Sequence, residues 1–434
     1  MRPNDMELVP AESMRRQWNA GALVLALAST SALCLLGACK SDSGNPKLDA
    51  GGLSDATTPP ADGGADSAAT TDGSGGDAPT GGDASGDAGT PPVSCANPVA
   101  LTSTVGPTFF DMVVDDQFVY WYEPDGEGVP TARVAKVPVD GSGPAIDLFK
   151  DSCGGVGGLN AGFASDATNF YIVCYQAVDA THQVQIMKIP KNGAAATPLF
   201  IRDVAGLNVC AANIATDGTN VYFSDCNTGP ELYSIPVAGG TPTPLLPTMP
   251  YSPFVNGFLY IKVFGGNAYW KGIYNMTGSL LQAPAAGGAP ALIANGDALI
   301  GQIDNLVIRD SYFYWRGGYT QGLWRLPLAG GTPTMLAAIP AYGTLGGQIE
   351  IFGNDIYFAA YDGSAANNLI LLSYPLPPAA AGGAGVGAPT IVATIPRPAG
   401  FAPAARNHVV ANSTHLFISD PANVGNDGHI YRCE

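Results

Sequence analysis

The sequence predicts an all-β fold, a seven-bladed β-propeller preceded by a tether, on three observations. First, a short strand ending in large apolar residues, a second strand ending in Pro, and a Gly-rich turn recur between residues 95 and 434. The aligned position, usually aromatic, falls at Trp121, Ile172, Phe223, Trp270, Trp315, Phe358 and Ile418, spaced by 51, 51, 47, 45, 43 and 60 residues. Self-similarity at roughly 40–50 residues with four short strands per unit marks a propeller. Second, each unit carries Asp, Asn or Gly where a hairpin must turn tightly. Third, the last unit lacks a fourth strand while a spare one stands at the start of the repeats.

Residues 1–39 read as a targeting segment. Arg15-Arg16 precede an apolar run from Ala20 to Leu36, which ends in Leu36-Gly37-Ala38-Cys39. A run of this length is long enough to span a bilayer. Small residues directly before a Cys, with a Ser/Asp/Gly-rich stretch after it, instead resemble a bacterial lipoprotein signal peptide. That resemblance implies lipidation of Cys39, translation starting at Met1 or Met14, and attachment to the membrane through a lipid anchor. Lys40, where an Asp would retain the protein at the inner membrane, implies the outer membrane, on its periplasmic or cell-surface side. Residues 40–94 are the tether. Between Ser41 and Ser94 stand nine Asp, one Lys and no aromatic residue. Such a segment cannot bury enough apolar surface to offset chain entropy and is expected to be disordered.

The formal net charge is −17, shared between tether and repeats, which excludes nucleic acid and anionic lipid surfaces as partners. A monomer is expected. Of eight cysteines, Cys34 lies inside the signal and Cys39 takes the lipid. The remaining six, in an exported and oxidising setting, suggest three disulfides. Cys210 and Cys226 are equidistant from Gly218 at the centre of a predicted hairpin. Cys95 and Cys433 stand at the two ends of the repeat region. Cys153 with Cys174 follows by elimination.

Within each unit the order is strand a, a turn, strand b, a variable loop, strand c, a Gly turn and strand d. The first turns are Asp115-Asp116-Gln117, Asp166–Asn169, Asp217–Asn220, Gly265-Gly266-Asn267 and Gly353-Asn354-Asp355, residues that tolerate left-handed backbone. Strand d follows a Pro-rich approach, as in Thr241–Leu246, which suits an outermost strand. The last unit ends at His429–Glu434, matching strand c. Asn97–Thr102 resembles the missing strand d, so the N-terminal strand should complete the last blade, locked by Cys95–Cys433. Trp121, Trp270 and Trp315 are assigned to the core between blades, not to a carbohydrate platform.

Val119-Tyr120-Trp121 and Phe313-Tyr314-Trp315, followed by a strand ending in Pro and a Gly turn, resemble YWTD-type and TolB-like propellers, and the whole chain resembles lipid-anchored propellers of the myxobacterial kind. The resemblance covers roughly residues 95–434 and implies the fold. YWTD propellers have six blades and continue with Thr-Asp, whereas Tyr122, Lys271 and Arg316 follow the Trp here.

Propeller chemistry is expected on the b–c loops, read as Tyr122–Pro130, Tyr175–His182, Lys271–Gly278, Arg316–Gly322, Ala360–Asn368 and Ser419–Gly428. Two are rich in oxygen ligands: Glu123-Pro124-Asp125-Gly126-Glu127, and Asp420 with Asn423, Asn426 and Asp427. Calcium takes six to eight oxygens, more than either loop holds, so both read as solvated acidic turns. His415 and His429 read as neighbours on strands b and c of the last unit, a packed or surface pair. No nucleophile elbow, phosphate loop or His-Glu-x-x-His motif occurs, and Gly154–Gly158 precedes no helix. Strand a places Val113, Phe163, Ile214, Ile261, Val307, Ile349 and Val409 toward the axis, an apolar set that argues against catalysis. These readings assign no catalytic residue, metal ligand or cofactor. They favour a binding scaffold for a protein or glycan through the loop face, over a metal-dependent propeller hydrolase, lyase or lactonase with its site at the channel mouth.

Overall fold

The computed structural model describes residues from Cys95 to Cys433, leaving out parts of many connections, among them 125–130, 152–161, 205–212, 226–230, 247–258, 340–347, 378–387, 398–406 and 422–427. Every described element is a strand, and 28 strands build seven four-stranded antiparallel sheets arranged as a propeller. After β1 (Val99–Val105), the first blade is β2 (Asp111–Val114), β3 (Phe118–Glu123), β4 (Ala132–Pro138) and β5 (Ile146–Asp151). The second is β6 (Phe163–Ser165), β7 (Asn169–Val178), β8 (Thr181–Pro190) and β9 (Thr197–Val204). The third is β10 (Ile214–Thr216), β11 (Asn220–Asp225), β12 (Glu231–Pro236) and β13 (Thr243–Pro244). The fourth comprises β14 (Leu259–Phe264), β15 (Asn267–Tyr274), β16 (Thr277–Pro284) and β17 (Ala291–Asn295). The fifth comprises β18 (Val307–Arg309), β19 (Tyr312–Gly317), β20 (Gly322–Pro327) and β21 (Thr334–Ala338). The sixth comprises β22 (Ile349–Phe352), β23 (Asp355–Tyr361), β24 (Leu369–Pro375) and β25 (Thr390–Ile395). The seventh holds β26 (Val409–Ala411), β27 (Leu416–Asp420) and β28 (Gly428–Cys433), with β1 as its outer strand.

That last sheet joins the two ends of the repeat region. Val99 pairs with Arg432 and Thr102 with Ile430, so the N-terminal strand completes the seventh blade as its pattern predicts. Cys95 and Cys433 are joined as a disulfide across the same seam, with Cα atoms 4.5 Å apart.

The turns show why these residues fold this way. Asp115 Oδ1 accepts the Gln117 and Phe118 N–H groups while Oδ2 accepts the Tyr120 hydroxyl at 2.9 Å. Asp166 does the same for Thr168, Asn169 and Tyr171, and Asp217 for Thr219, Asn220 and Tyr222. One carboxylate thus closes the hairpin and pins the aromatic of the strand it launches. In the fifth blade the turn is Asp310-Ser311, with φ of 50° and 65°, a left-handed pair that lacks the expected Gly or Asn. Two long hairpins differ from the sequence reading. β7 and β8 pair as far as Val178 and Thr181, and β15 and β16 as far as Tyr274 and Thr277. The expected loops at 175–182 and 271–278 are therefore largely strand, because their aromatic and β-branched residues suit a ladder.

A cation two residues before the strand-c Pro, or at the corresponding place in β28, latches neighbouring blades. Lys136 Nζ donates to the Lys191 carbonyl (3.1 Å), Lys188 Nζ to Val237 O (3.0 Å), and Arg432 Nη1 to Val139 O (3.0 Å). The third of these crosses the closing seam. Trp121, Trp270 and Trp315 are fully buried, each inside a cluster shared by two blades. The exposed large apolar side chains Val99, Ile146, Ile201, Leu292, Met335 and Ile391 all lie on outermost strands.

Candidate functional site

The inner strands β6, β10 and β14 adjoin in turn, as do β18, β22, β26 and β2, so the first strand of each blade rings the axis. Most of their apolar residues pack between blades instead of facing it, which corrects the expected apolar lining. Met112 packs with Trp121 and Phe417 between the first and seventh blades. Phe163 stacks on Tyr122, ring centroids 5.5 Å apart, and Ile349 packs among Tyr314 and Leu323 of the fifth blade. Phe163, Ile214, Ile349 and Val409 pair with the aligned position of strand b, whereas Val113 and Val307 pair with Tyr120 and Tyr314, one residue off. Because successive side chains point to opposite faces, the residue on either side of the apolar set takes the other orientation, and several of these residues are polar.

Three of them meet where the sixth, seventh and first blades converge. His408 Nδ1 lies 2.7 Å from Gln348 Oε1 and 3.3 Å from Asp111 Oδ1. With two oxygen acceptors beside it, Nδ1 is placed as a donor to both. The His408 backbone is fixed by its N–H donating to Ser419 Oγ (2.8 Å) and its carbonyl accepting the Ser419 N–H (2.9 Å), and its ring packs edge-to-face with Phe109.

On the fourth blade the register slips between Leu259 and Lys262. Tyr260 takes a left-handed φ of 55°, and its N–H donates to Asn213 Oδ1 of the third blade at 3.0 Å. Such a bulge re-aims the residues that follow it. Lys262 interacts electrostatically with Asp111 and with Glu350. Those two belong to the first and sixth blades, neither adjacent to the fourth, so the interaction runs across the axis. Glu350 is 6% exposed. Burial pushes its carboxyl up to about 8, against the opposing pull of Lys262, a hydrogen bond from Ile351 and Arg309. Burial likewise holds the Lys262 ammonium below its usual range despite both carboxylates. Lys262 still keeps partial exposure.

A second polar cluster sits between the sixth and seventh blades, at the end where strands b run into their loops. Arg397 Nε lies 3.0 Å from Asp420 Oδ2, both side chains almost fully buried, with the guanidinium 4.6 Å above the Tyr361 ring. The Tyr361 hydroxyl donates to Asn407 Oδ1 (3.0 Å) and Asp420 Oδ1 (3.3 Å). Burial outweighs these partners and raises the Asp420 carboxyl. Asp420 is therefore a buried structural anion, not the first ligand of an open cation loop. Glu123, the first carboxylate of the other oxygen-rich loop, is also committed. It accepts Trp121 Nε1 at 2.7 Å and the Gly106 N–H at 2.8 Å, and pairs with Arg133. Arg316 Nη1 donates to Ala359 O at 2.8 Å and stands over Phe358.

His415 and His429 are not neighbours. His429 pairs with Asp420 and stacks on Tyr431, whereas His415 lies in the turn before β27 and contacts Thr414. The sequence reading missed Lys262, Glu350 and Arg397. Lys262 and Glu350 carried a signal, a charge inside a run otherwise apolar; Arg397 carried none. Cys174 is disulfide-bonded. Cys39, Cys153, Cys210, Cys226 and Gly154–Gly158 lie outside the described residues, as do Asp125, Glu127, Asn423, Asn426 and Asp427. Among the described residues no group of three or more His, Cys, Asp or Glu is placed to hold a metal ion.

No protein-family model and no curated protein matches the sequence. Among solved structures the chain is similar to YCF48 bound to D1 peptide, with TM-score 0.46 and 10% identity over 79% of this chain and 99% of that one. It is similar to the GH74 enzyme of Niastella koreensis at TM-score 0.47 and 13% identity, covering 76% of this chain and 55% of that one. TolB from Acinetobacter baumannii matches at TM-score 0.40 and 12% identity, covering 60% and 61%.

Proposed function

We propose that the chain is an exported binding scaffold, anchored to the outer membrane by lipid at Cys39, that engages a protein or a glycan with its loop face. The observation that carries the binding reading is how the charged groups at that face are used. Arg397 and Asp420, Glu123 and Arg133, and Arg316 with Ala359 O are spent on each other or on neighbouring backbone. They rigidify the ground from which the long connections spring, such as 245–258, 296–306 and 396–408. The opposite face carries tight hairpins such as 115–117, 166–168 and 217–219. Rigid strands presenting variable loops on one side are the usual layout of a recognition surface.

The test places a photo-crosslinking residue in a b–c loop, at Asp125, and in an a–b turn, at the exposed Asp116, in cells making the full chain. Adducts from position 125 with none from 116 are expected; adducts from neither, or equally from both, refute the binding face. Separately, Cys39→Ser should move the protein from the membrane to the soluble fraction. A mature Ser variant that stays with membranes removes the lipid anchor from the reading.

A further inference from the structure

We propose that the axial channel contains a site for a small oxyanion, a carboxylate or a phosphate, which Lys262 receives with Glu350 facing it from across the ring. The site goes beyond the loop-face reading and stands without it.

An ammonium hemmed in by protein is ordinarily paired. Lys262, only partly exposed, has no direct charged partner among the described residues. The charges that act on it, Asp111 and Glu350, reach it only across the axis, and no direct ion pair joins it to either. Asp111 is already engaged by His408 Nδ1 at 3.3 Å, and the cation of the next inner strand, Arg309, pairs with Asp310 at 3.6 Å. The three donors of Lys262 are thus left to whatever fills the channel. The backbone is also bent to aim it. The bulge and the left-handed Tyr260, pinned by Asn213, fall immediately before it. Backbone cost of this kind concentrates at binding sites.

The sign of the ligand follows from the opposing group. Glu350, buried and holding its proton near neutral pH, offers a hydrogen-bond donor and no charge. An oxyanion accepts from the ammonium and from that carboxyl together, in charge-assisted bonds. A cation would meet the fields of Lys262 and Arg309 and find Asp111 taken. Ionising Glu350 removes the donor and adds a negative charge to a ring whose other charged or titratable groups are Lys262, Asp111, Arg309, Asp310 and His408. Affinity should therefore fall about tenfold per pH unit above about 8.

The experiment measures the rate of reductive methylation at Lys262 in the full chain by peptide mass spectrometry, with the exposed Lys150 as internal reference. Rates are compared in chloride, acetate and inorganic phosphate at matched ionic strength. Lys262 should react in chloride and slow about tenfold once acetate or phosphate stands at ten times its dissociation constant, Lys150 being unaffected. Which anion protects at the lower concentration names the ligand class. Protection should fall to about twofold by pH 9 in the parent and persist in full there in Glu350→Gln. Equal rates in all three salts, protection shared with Lys150, or a Lys262 unreactive in every buffer overturns the site. Should the Gln variant not fold, the parent's pH series decides alone: protection that is absent, or unchanged from pH 6.5 to 9, overturns it.

Discussion

Replacing Glu350 by Gln should remove most of the alkaline destabilisation that this one carboxyl causes. The folded protein holds it at about 8 against an ordinary 4.5. A raised pKa means that the folded state keeps a proton which the unfolded chain releases, so stability falls as pH rises between those values. The slope is about 1.4 kcal/mol per pH unit, and across the window it amounts to roughly 4–5 kcal/mol. The Gln variant has nearly the same shape and no proton to lose. Urea unfolding of parent and variant at each pH from 4.5 to 9 isolates the carboxyl and its coupling to Lys262, because titrating groups that do not interact with Glu350 cancel in the difference. The variant should gain on the parent steadily from about pH 5 and level off above about 8. A difference that stays flat over the whole range would show that Glu350 ionises in the ordinary carboxylate range, and the desolvated axis inferred from its burial would be wrong.

Three further outcomes are expected. Cys95 and Cys433 should emerge as one linked peptide from a non-reducing digest, and replacing both by Ser should lower stability by about 2–4 kcal/mol; two free thiols in protein purified without reductant contradict the closure. Asp420→Ala leaves Arg397 buried without its anion and should cost about 3–5 kcal/mol in denaturant unfolding, whereas a surface loop carboxylate would cost almost nothing. Thermal melts in millimolar calcium and in chelator should superimpose, since Asp420 and Glu123 are committed to protein partners; a gap of several degrees abolished by Asp427→Ala returns a metal to the last blade.

The ring and its closure were legible because propeller units are specified locally. Asp217 three residues before Asn220 closes a hairpin whatever surrounds it, and Pro236 followed by Gly239 turns the chain back, its N–H bonded to the Pro236 carbonyl. The axis was not legible, for a reason of parity. A strand of three or four residues gives little alternation to count, and a misplacement of one exchanges its faces. Reading Phe163, Ile214, Ile349 and Val409 as inward made that misplacement, since they lie one residue before the register position that Val113 and Val307 share with Lys262 and Glu350, and an apolar lining followed from it. The bulge at Tyr260 hid Lys262 further, since no local residue type announces it. Arg397 reaches Asp420 across two blades, a pairing fixed only by the assembled ring.

The seventh blade also sets a clock. Its outer strand belongs to the first part of the repeat region to be synthesised and its inner three to the last, the bonded cysteines standing 338 positions apart in sequence. Until β28 has emerged, β1 has no partner, and the rims of blades one and six lack the neighbours that cover them. Bringing such distant ends together costs little more than a shorter closure, because the entropy grows only logarithmically with length; the delay is one of waiting, not of energy. A growing or translocating chain therefore spends this interval with two open edges, the condition in which strands pair with the wrong partner. Oxidation of Cys95 with Cys433 becomes possible only when that interval ends, so the bond is a timestamp as well as a staple, and its appearance marks the moment the last blade is complete.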